Sequence, residues 1–375
     1  METTSPESMA LLRESAEFEE YAVVTVNLTK KYNSKSRSLG SLHSIHNFSQ
    51  LGGYFSILLG RGQRNLVALS DVSLSIRRGE VFGLLGPNGA GKTTFIKILS
   101  TLVLPDSGSA YVHGIDVVKQ PYAALERLQA VLSEGIGFER RLTGRQNLQV
   151  YASLYGLPSS VAKERIDSLL EMVGLAGKAN RTMNRYSTGM ARKLLLCRAL
   201  LSDASVLVFD EPTAGLDPNA AAEFRNVLTD VIVRERGKTV LMSSHNLWEV
   251  QQICDRVAVL NQGKVVAVGS PDEIRVGAGE SISLTVAGVF SANVVIANLR
   301  SDILRVAGVS VVRIDQGGSS EVVIELEGTR DLDYTSIFSL LLDKGFRIRS
   351  LDAPQPSLEE AFIKLTREID EWPSQ

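Results

Sequence analysis

Gly86, Pro87, Asn88, Gly89, Ala90, Gly91, Lys92, Thr93 and Thr94 concentrate more chemistry than any other stretch, and they fit the spacing G-x-x-x-x-G-K-[ST]. Glycines allow successive backbone N–H groups to turn inward around the oxygens of a phosphate chain. Lys92 can reach the β and γ oxygens of a nucleotide, and the Thr93 hydroxyl suits a hard cation such as Mg²⁺. The stretch reads as a cradle for a nucleotide phosphate.

Two further places offer groups that complement it. The run Val206-Leu-Val-Phe209 is apolar on both faces and ends in Asp210 and Glu211. A parallel strand covered by helices needs such a run, and a carboxylate at its C-terminal end faces the ligand crevice. Asp210 is then placed to hold Mg²⁺ through water, and Glu211 to orient or deprotonate an attacking water. Alone, the pair would read as a helix cap; beside a phosphate cradle it reads as catalytic. A second apolar run, Thr239 to Ser243, ends at Ser244 and His245, where an imidazole could hydrogen-bond a γ-phosphate. Tyr32, closing an early strand, is a candidate to stack on an adenine ring.

These groups need elements to bring them together. Val81-Phe-Gly-Leu-Leu85 reads as a buried strand, and Thr93 to Leu102 follow with helical spacing, so the phosphates would sit at a helix N-terminus. Ala22 to Leu28, Leu74 to Ile76 and Ser109 to His113 read as further strands. Apolar residues at helical spacing between about Gly135 and Leu201 predict a largely helical insertion. Arg256 to Val268 reads as a hairpin turning at Asn261-Gln-Gly263. The pattern predicts an α/β fold with a parallel-sheet core, a helical subdomain and antiparallel β elements.

Beyond about Gly277 the order becomes strand, helix, strand, strand, helix, strand, with a last helix opened by the capping box Ser357-Leu-Glu-Glu360. The domain expectation is therefore a tail at 1–20, a nucleotide-binding domain at 21–275 and a small α+β ferredoxin-like accessory domain at 276–375. Within the second, residues 33–66 carry Lys35, Arg37, Arg61 and Arg64 without acids, and Leu39, Leu42, His46, Phe48, Leu51, Phe55 and Leu58 at three-to-four spacing. A basic amphipathic helix docking on a membrane or membrane subunit fits that pattern, as does a long loop.

With 375 residues and a formal charge of -2, the chain exceeds one core and offers no electrostatic case for a nucleic-acid partner. No apolar run spans a bilayer, and the acidic N-terminus lacks the form of a secretory signal. Cys197 and Cys254 are the only cysteines, which suits buried thiols in a reducing compartment. A cytosolic protein is expected.

The ordered set Gly86 to Thr94, Tyr186-Ser-Thr-Gly-Met190, Val206 to Glu211, Gly215-Leu-Asp217 and His245 resembles the nucleotide-binding subunit of ABC transporters over about residues 21–275. Details such as Arg192-Lys193 and the terminal Ser357-Leu-Glu-Glu-Ala-Phe362 resemble bacterial and archaeal exporters of drugs, lipids or polysaccharides. The resemblance implies a P-loop NTPase with a RecA-like core, using ATP and Mg²⁺. Catalysis would rest on Glu211, His245 and Lys92, with Thr93 and Asp210 at the metal. Ser187, Thr188 and Gly189 would form a signature loop acting in trans on the partner subunit's nucleotide, with Asp217 at the dimer seam. Thr188 replaces a family glycine, and Glu134 stands nearest the position of a family glutamine that would ligate Mg²⁺ or position water. Implied partners are an integral membrane permease and a second ATP-binding subunit, identical or related, which would hold the protein at the inner face of the cell membrane. The rival readings are a non-hydrolysing regulatory subunit and a non-transport ABC ATPase.

Overall fold

The computed structural model describes residues 19–32, 66–132, 137–277, 280–287, 299–306, 309–316, 321–328, 333–352 and 357–367. The chain divides into two compact units, Glu2–Val266 and Ala267–Gln375. Of the expected elements, the tail at 1–18, residues 33–65 of the basic insertion and Glu134 lie outside the described residues.

The first unit opens with β1 (Tyr21–Tyr32) and β2 (Leu66–Arg77), paired antiparallel from Tyr21 opposite Arg77 to Tyr32 opposite Leu66. β2 begins well before the expected Leu74, and Leu66 belongs to it rather than to the insertion. Asp71 explains the difference: its φ of +53° and the register shifts facing it break the alternation that marks a strand in sequence. Thr29 holds the irregularity, its hydroxyl accepting from the Asp71 amide at 3.1 Å.

Next come β3 (Val81–Leu85), α1 (Lys92–Leu99), β4 (Ser107–Val112), β5 (Ile115–Asp116), α2 (Pro121–Arg127) and β6 (Leu128–Val131). α1 ends three residues before the expected Leu102. The Ser100 hydroxyl donates to the Ile96 carbonyl at 2.8 Å, Thr101 turns left-handed at φ +59°, and Leu102 stands exposed. The helical insertion comprises α3 (Gly144–Leu154), α4 (Ser159–Met172) and α5 (Thr188–Leu201). Thr143 and Gln146 cap α3 reciprocally, and Asn147 is buried with its amide donating to the Glu139 and Thr143 carbonyls.

The chain then returns to the sheet: β7 (Val206–Asp210), α6 (Pro218–Asn226) continued by a π-helical stretch Val227–Glu235, β8 (Thr239–Ser244), α7 (Leu247–Ile253), β9 (Arg256–Asn261) and β10 (Lys264–Gly269). A six-stranded sheet runs β10-β9-β3-β8-β7-β6, with β9, β3, β8, β7 and β6 parallel. Every residue of β3, β7 and β8 is buried, as strands covered on both faces require. A separate antiparallel sheet runs β2-β1-β4-β5. β6, a four-residue edge strand, gave no usable pattern in the sequence.

The second unit contains α8 (Pro271–Gly277), β11 (Glu280–Ala287), β12 (Val309–Gln316), β13 (Glu321–Gly328), α9 (Tyr334–Asp343), β14 (Arg347–Asp352) and α10 (Leu358–Arg367). Its antiparallel sheet runs β12-β13-β11-β14. With helical residues 299–303 before β12, this is the ferredoxin-like order read from the sequence. Ile324 and Leu326 pack with Leu299, Ile303, Ile337 and Leu341 in one core. Among the described residues no helix is long and apolar enough to cross a membrane.

Candidate active site

Parallel strands deliver their C-terminal ends to one edge. β3 runs into Gly86, β7 ends on Asp210 and β8 on Ser244, and the register sets Leu85 opposite Ser244 and Asp210 opposite Ser243. The three polar segments picked out in the sequence thus meet by topology.

The glycines of the cradle are fixed by close approach. A Cβ on Gly86 would lie 2.3 Å from the Leu260 carbonyl oxygen, and one on Gly91 2.4 Å from that of Ala68. Gly91 also sits at φ +109°, and its carbonyl accepts from the Phe95 amide at 2.9 Å as α1 begins. Lys92 is only 6% exposed. Its ammonium donates to the carbonyls of Gly86 at 2.6 Å and Pro87 at 3.1 Å, spanning the loop from inside. Burial pulls its pKa below the ordinary lysine value, against the opposing charges of Glu211 and Asp210.

Thr93 and Asp210 meet across the site, the Thr93 hydroxyl donating to Asp210 Oδ2 at 3.2 Å. The other Asp210 oxygen accepts from the Ser243 hydroxyl. Two oxygen ligands of the type a hard divalent cation takes therefore face one another at the end of the cradle, and a buried hydroxyl aims one of them. Glu211 adopts φ +47° immediately after β7, a left-handed turn that costs a non-glycine residue roughly 1 kcal/mol or more. Its amide donates to both the carbonyl and the hydroxyl of Ser243, at 3.2 and 3.0 Å, which holds the turn. The Glu211 carboxylate lies 3.1 Å from His245 Nδ1.

A cleft of about 250 Å³ is lined by Asn88 to Thr94, Glu211, Tyr32, Leu66 and Val67. Tyr32 thus shares a cavity with the phosphate loop, next to the exposed apolar side chains of Leu66 and Val67. Lys30 lies over the Tyr32 ring at 5.6 Å.

Ser187, Thr188, Gly189 and Asp217 do not line that cleft. Ser187 caps α5, its hydroxyl accepting from the Met190 amide at 3.2 Å, and Thr188 and Gly189 form the first turn. Asp217 caps α6, accepting from the Ala220 amide at 2.9 Å, and is exposed. The two helix starts adjoin one another, since a Cβ on Gly189 would lie 3.0 Å from that of Ala220.

Sequence reasoning missed three contributors. Ser243 reads in the sequence only as a strand residue, yet its hydroxyl donates to Asp210 and accepts from the Glu211 amide. Glu249 is 1% exposed, and one oxygen accepts from the Thr213 hydroxyl at 2.7 Å and the Ser244 hydroxyl at 3.1 Å. It thereby ties the segment after Glu211 to the segment before His245, and burial raises its pKa. Arg192, half-buried on α5, feels the Glu211 charge while burial lowers its pKa. A glutamate spaced for the inner face of a helix was the available signal for Glu249.

Residues 69–214 match the ABC transporter family model. The chain is 35% identical over 302 residues to the daunorubicin resistance ATP-binding protein DrrA3 of Streptomyces coeruleorubidus, covering 80% of this chain and 91% of that protein. Against the linearmycin resistance ATP-binding protein LnrL of Bacillus subtilis it is 34% identical, covering 81% and 94%. Among solved structures, CbiO1 of Clostridium perfringens, part of an ABC transporter complex, shares the fold with a TM-score of 0.55 at 24% identity, covering 68% of this chain and 91% of that one. The chain belongs to the ATP-binding subunits of ABC transporters, ATPases that work in pairs with a membrane permease.

Proposed function

We propose that two such subunits clasp two MgATP molecules between them, each contributing a phosphate cradle to one and a signature helix to the other. The observation that carries this reading is the division of labour in one chain. Lys92, Thr93 and Glu211 line the cleft, with Asp210 bonded to Thr93 and His245 to Glu211 behind them, while the helix start behind Ser187 neither lines it nor bonds a residue that does. A helix N-terminus presents unpaired N–H groups and a positive dipole end, suited to a γ-phosphate that only a facing subunit can supply.

Within each half-site, the amides from Asn88 to Thr94 hold the phosphates, and Lys92 leaves its two loop carbonyls to meet the β and γ oxygens. Thr93 and Asp210 would hold Mg²⁺, which neutralises charge on the phosphate oxygens when bound. Glu211 orients and deprotonates the attacking water. His245, partnered by Glu211, hydrogen-bonds the γ-phosphate. Tyr32 stacks on adenine, with Leu66 and Val67 as apolar neighbours. Asp217 would lie at the seam, and the Glu134 carboxylate, standing nearest the position of a family glutamine, would ligate Mg²⁺ or position water. ATP closes the pair, hydrolysis reopens it, and the permease is carried between its two states.

The protein sits at the cytoplasmic face of the membrane through that permease, with no nucleic-acid partner. The relatives' names point to amphiphilic drug-like molecules as cargo. For the domain plan, we assign ATP chemistry to 21–275, membrane-subunit docking to the insertion at 33–65, and regulation or dimerisation to 276–375. The experiment is light scattering of purified Glu211→Gln with saturating MgATP. A stable dimer carrying one nucleotide per subunit is expected; a monomer at saturation defeats the proposal.

A further inference from the structure

We infer that the first unit holds a second anion site, at the opposite end of the parallel strands from the nucleotide, that takes a phosphate monoester or inorganic phosphate between Arg78, Arg127, His113 and Ser205. A cavity of about 380 Å³ is lined by these four and Ile115. Its residues come from the ends of different elements. Arg78 and Ser205 precede β3 and β7, Arg127 precedes β6, and His113 follows β4. The fold therefore gathers them as surely as it gathers Gly86, Asp210 and His245 at the other edge.

The chemistry is one-sided. Arg78 and Arg127 are both exposed, and among the described residues no carboxylate pairs with either. His113 Nε2 lies 2.7 Å from Ser205 Oγ. Its backbone is held left-handed at φ +47°, with its amide donating to the Ala22 carbonyl at 2.8 Å. Burial pushes the His113 pKa down, and the charges of Arg78 and Arg127 push it further in the same direction. Three basic groups thus surround one cavity without a counter-charge, an arrangement that a dianion relieves.

A phosphate fits better than a carboxylate. Two guanidinium forks and the one free proton of the His113–Ser205 pair, on the imidazole Nδ1 or on the hydroxyl according to the tautomer, offer donors from several directions, matching the oxygens of a tetrahedral ion. The cavity is larger than that ion, and the Ile115 wall leaves room for an organic body. Soluble metabolite and lipid headgroup share this chemistry.

The test follows the histidine C2 protons of the full chain by NMR, with the P-loop first filled by MgADP. The chain has only four histidines, so His113→Gln assigns the signal. Titration with inorganic phosphate and with glycerol 3-phosphate, at constant ionic strength against chloride, should shift the His113 signal saturably and raise its titration midpoint. The His245 signal should stay put. Arg78→Gln/Arg127→Gln should weaken the response at least about tenfold. Its folding is checked by unchanged ATP hydrolysis. A parallel arm uses phosphatidylcholine vesicles with and without phosphatidic acid. Response to the soluble probes assigns a free phosphate; co-sedimentation with phosphatidic acid alone, lost in the double variant, assigns a headgroup. A His113 signal indifferent in both arms, or a response retained by the double variant, overturns the site.

Discussion

Each reactive group depends on a partner that does no chemistry itself. Asp210 is the clearest instance: 3% exposed, it receives the Thr93 hydroxyl on one oxygen and the Ser243 hydroxyl on the other. Removing the second with Ser243→Ala should leave ATP binding near normal but raise the Mg²⁺ needed for half-maximal hydrolysis about 10- to 100-fold, as loss of an orienting partner does elsewhere. An unchanged Mg²⁺ dependence would mean that Asp210 is held by its strand alone. Glu249 makes a different prediction. Burial holds its proton more tightly in the folded protein than in the unfolded chain, so its stabilising contribution is full below the ordinary carboxylic range and lost as pH rises through the folded value. Glu249→Gln keeps an acceptor for Thr213 and Ser244 and removes the titration. Its melting temperature relative to wild type should therefore climb as pH rises above the ordinary carboxylic value of about 4; a pH-independent difference would refute the assignment. Lys92, Asp210 and Glu211 were legible in the sequence because their meaning lies in neighbours along the chain. Ser243 and Glu249 were not, because theirs lies in residues more than thirty positions away, such as Thr213, 36 residues from Glu249.

Elements fix what residues alone cannot. The phosphate loop is clamped between two distant segments: the Gly263 amide donates to the Ala90 carbonyl at 3.0 Å, and the Ser70 amide to the Gly263 carbonyl at 2.8 Å. Gly91 and Gly89 separate packing from backbone strain. Both have positive φ, +109° and +85°, yet only a Cβ on Gly91 meets backbone; Gly89 has nothing within 4 Å. Gly89→Ala should cost about 1 kcal/mol of folding stability from the left-handed turn alone. Gly91→Ala adds the collision with Ala68 and should cost roughly 3 kcal/mol or more, measured by chemical denaturation of the nucleotide-free protein. Equal losses would show that the loop yields freely. The strands β3, β7 and β8 were readable as unbroken apolar runs. β2 was not, because Asp71 interrupts its period, and α1 was overextended because Thr101 and Leu102 continue a helical spacing that the Ser100 back-bond ends.

At the scale of the whole molecule, the active site as proposed draws on two chains rather than one. The ferredoxin-like order of the second unit could be read from strand and helix succession, since short connections leave few topologies. A nucleotide site completed by a facing subunit, as proposed, could not be read that way, because its counterpart surface belongs to another chain. Two variants, each inactive as its own pair, separate the possibilities. Lys92→Ala removes the phosphate contact of the cradle. Ser187→Asp keeps a capable N-cap for α5 but sets a negative charge where the γ-phosphate should dock. If Ser187 acts on the partner's nucleotide, a mixed pair has one site with both defects and one with neither, so equimolar mixing should recover ATP binding at one site per mixed dimer. If Ser187 acted on its own chain's nucleotide, every site in the mixture would keep one defect and mixing would recover nothing. The intact site also reports on coupling: hydrolysis restored together with binding means one complete site suffices, whereas binding without turnover means that both sites must close before Glu211 can act.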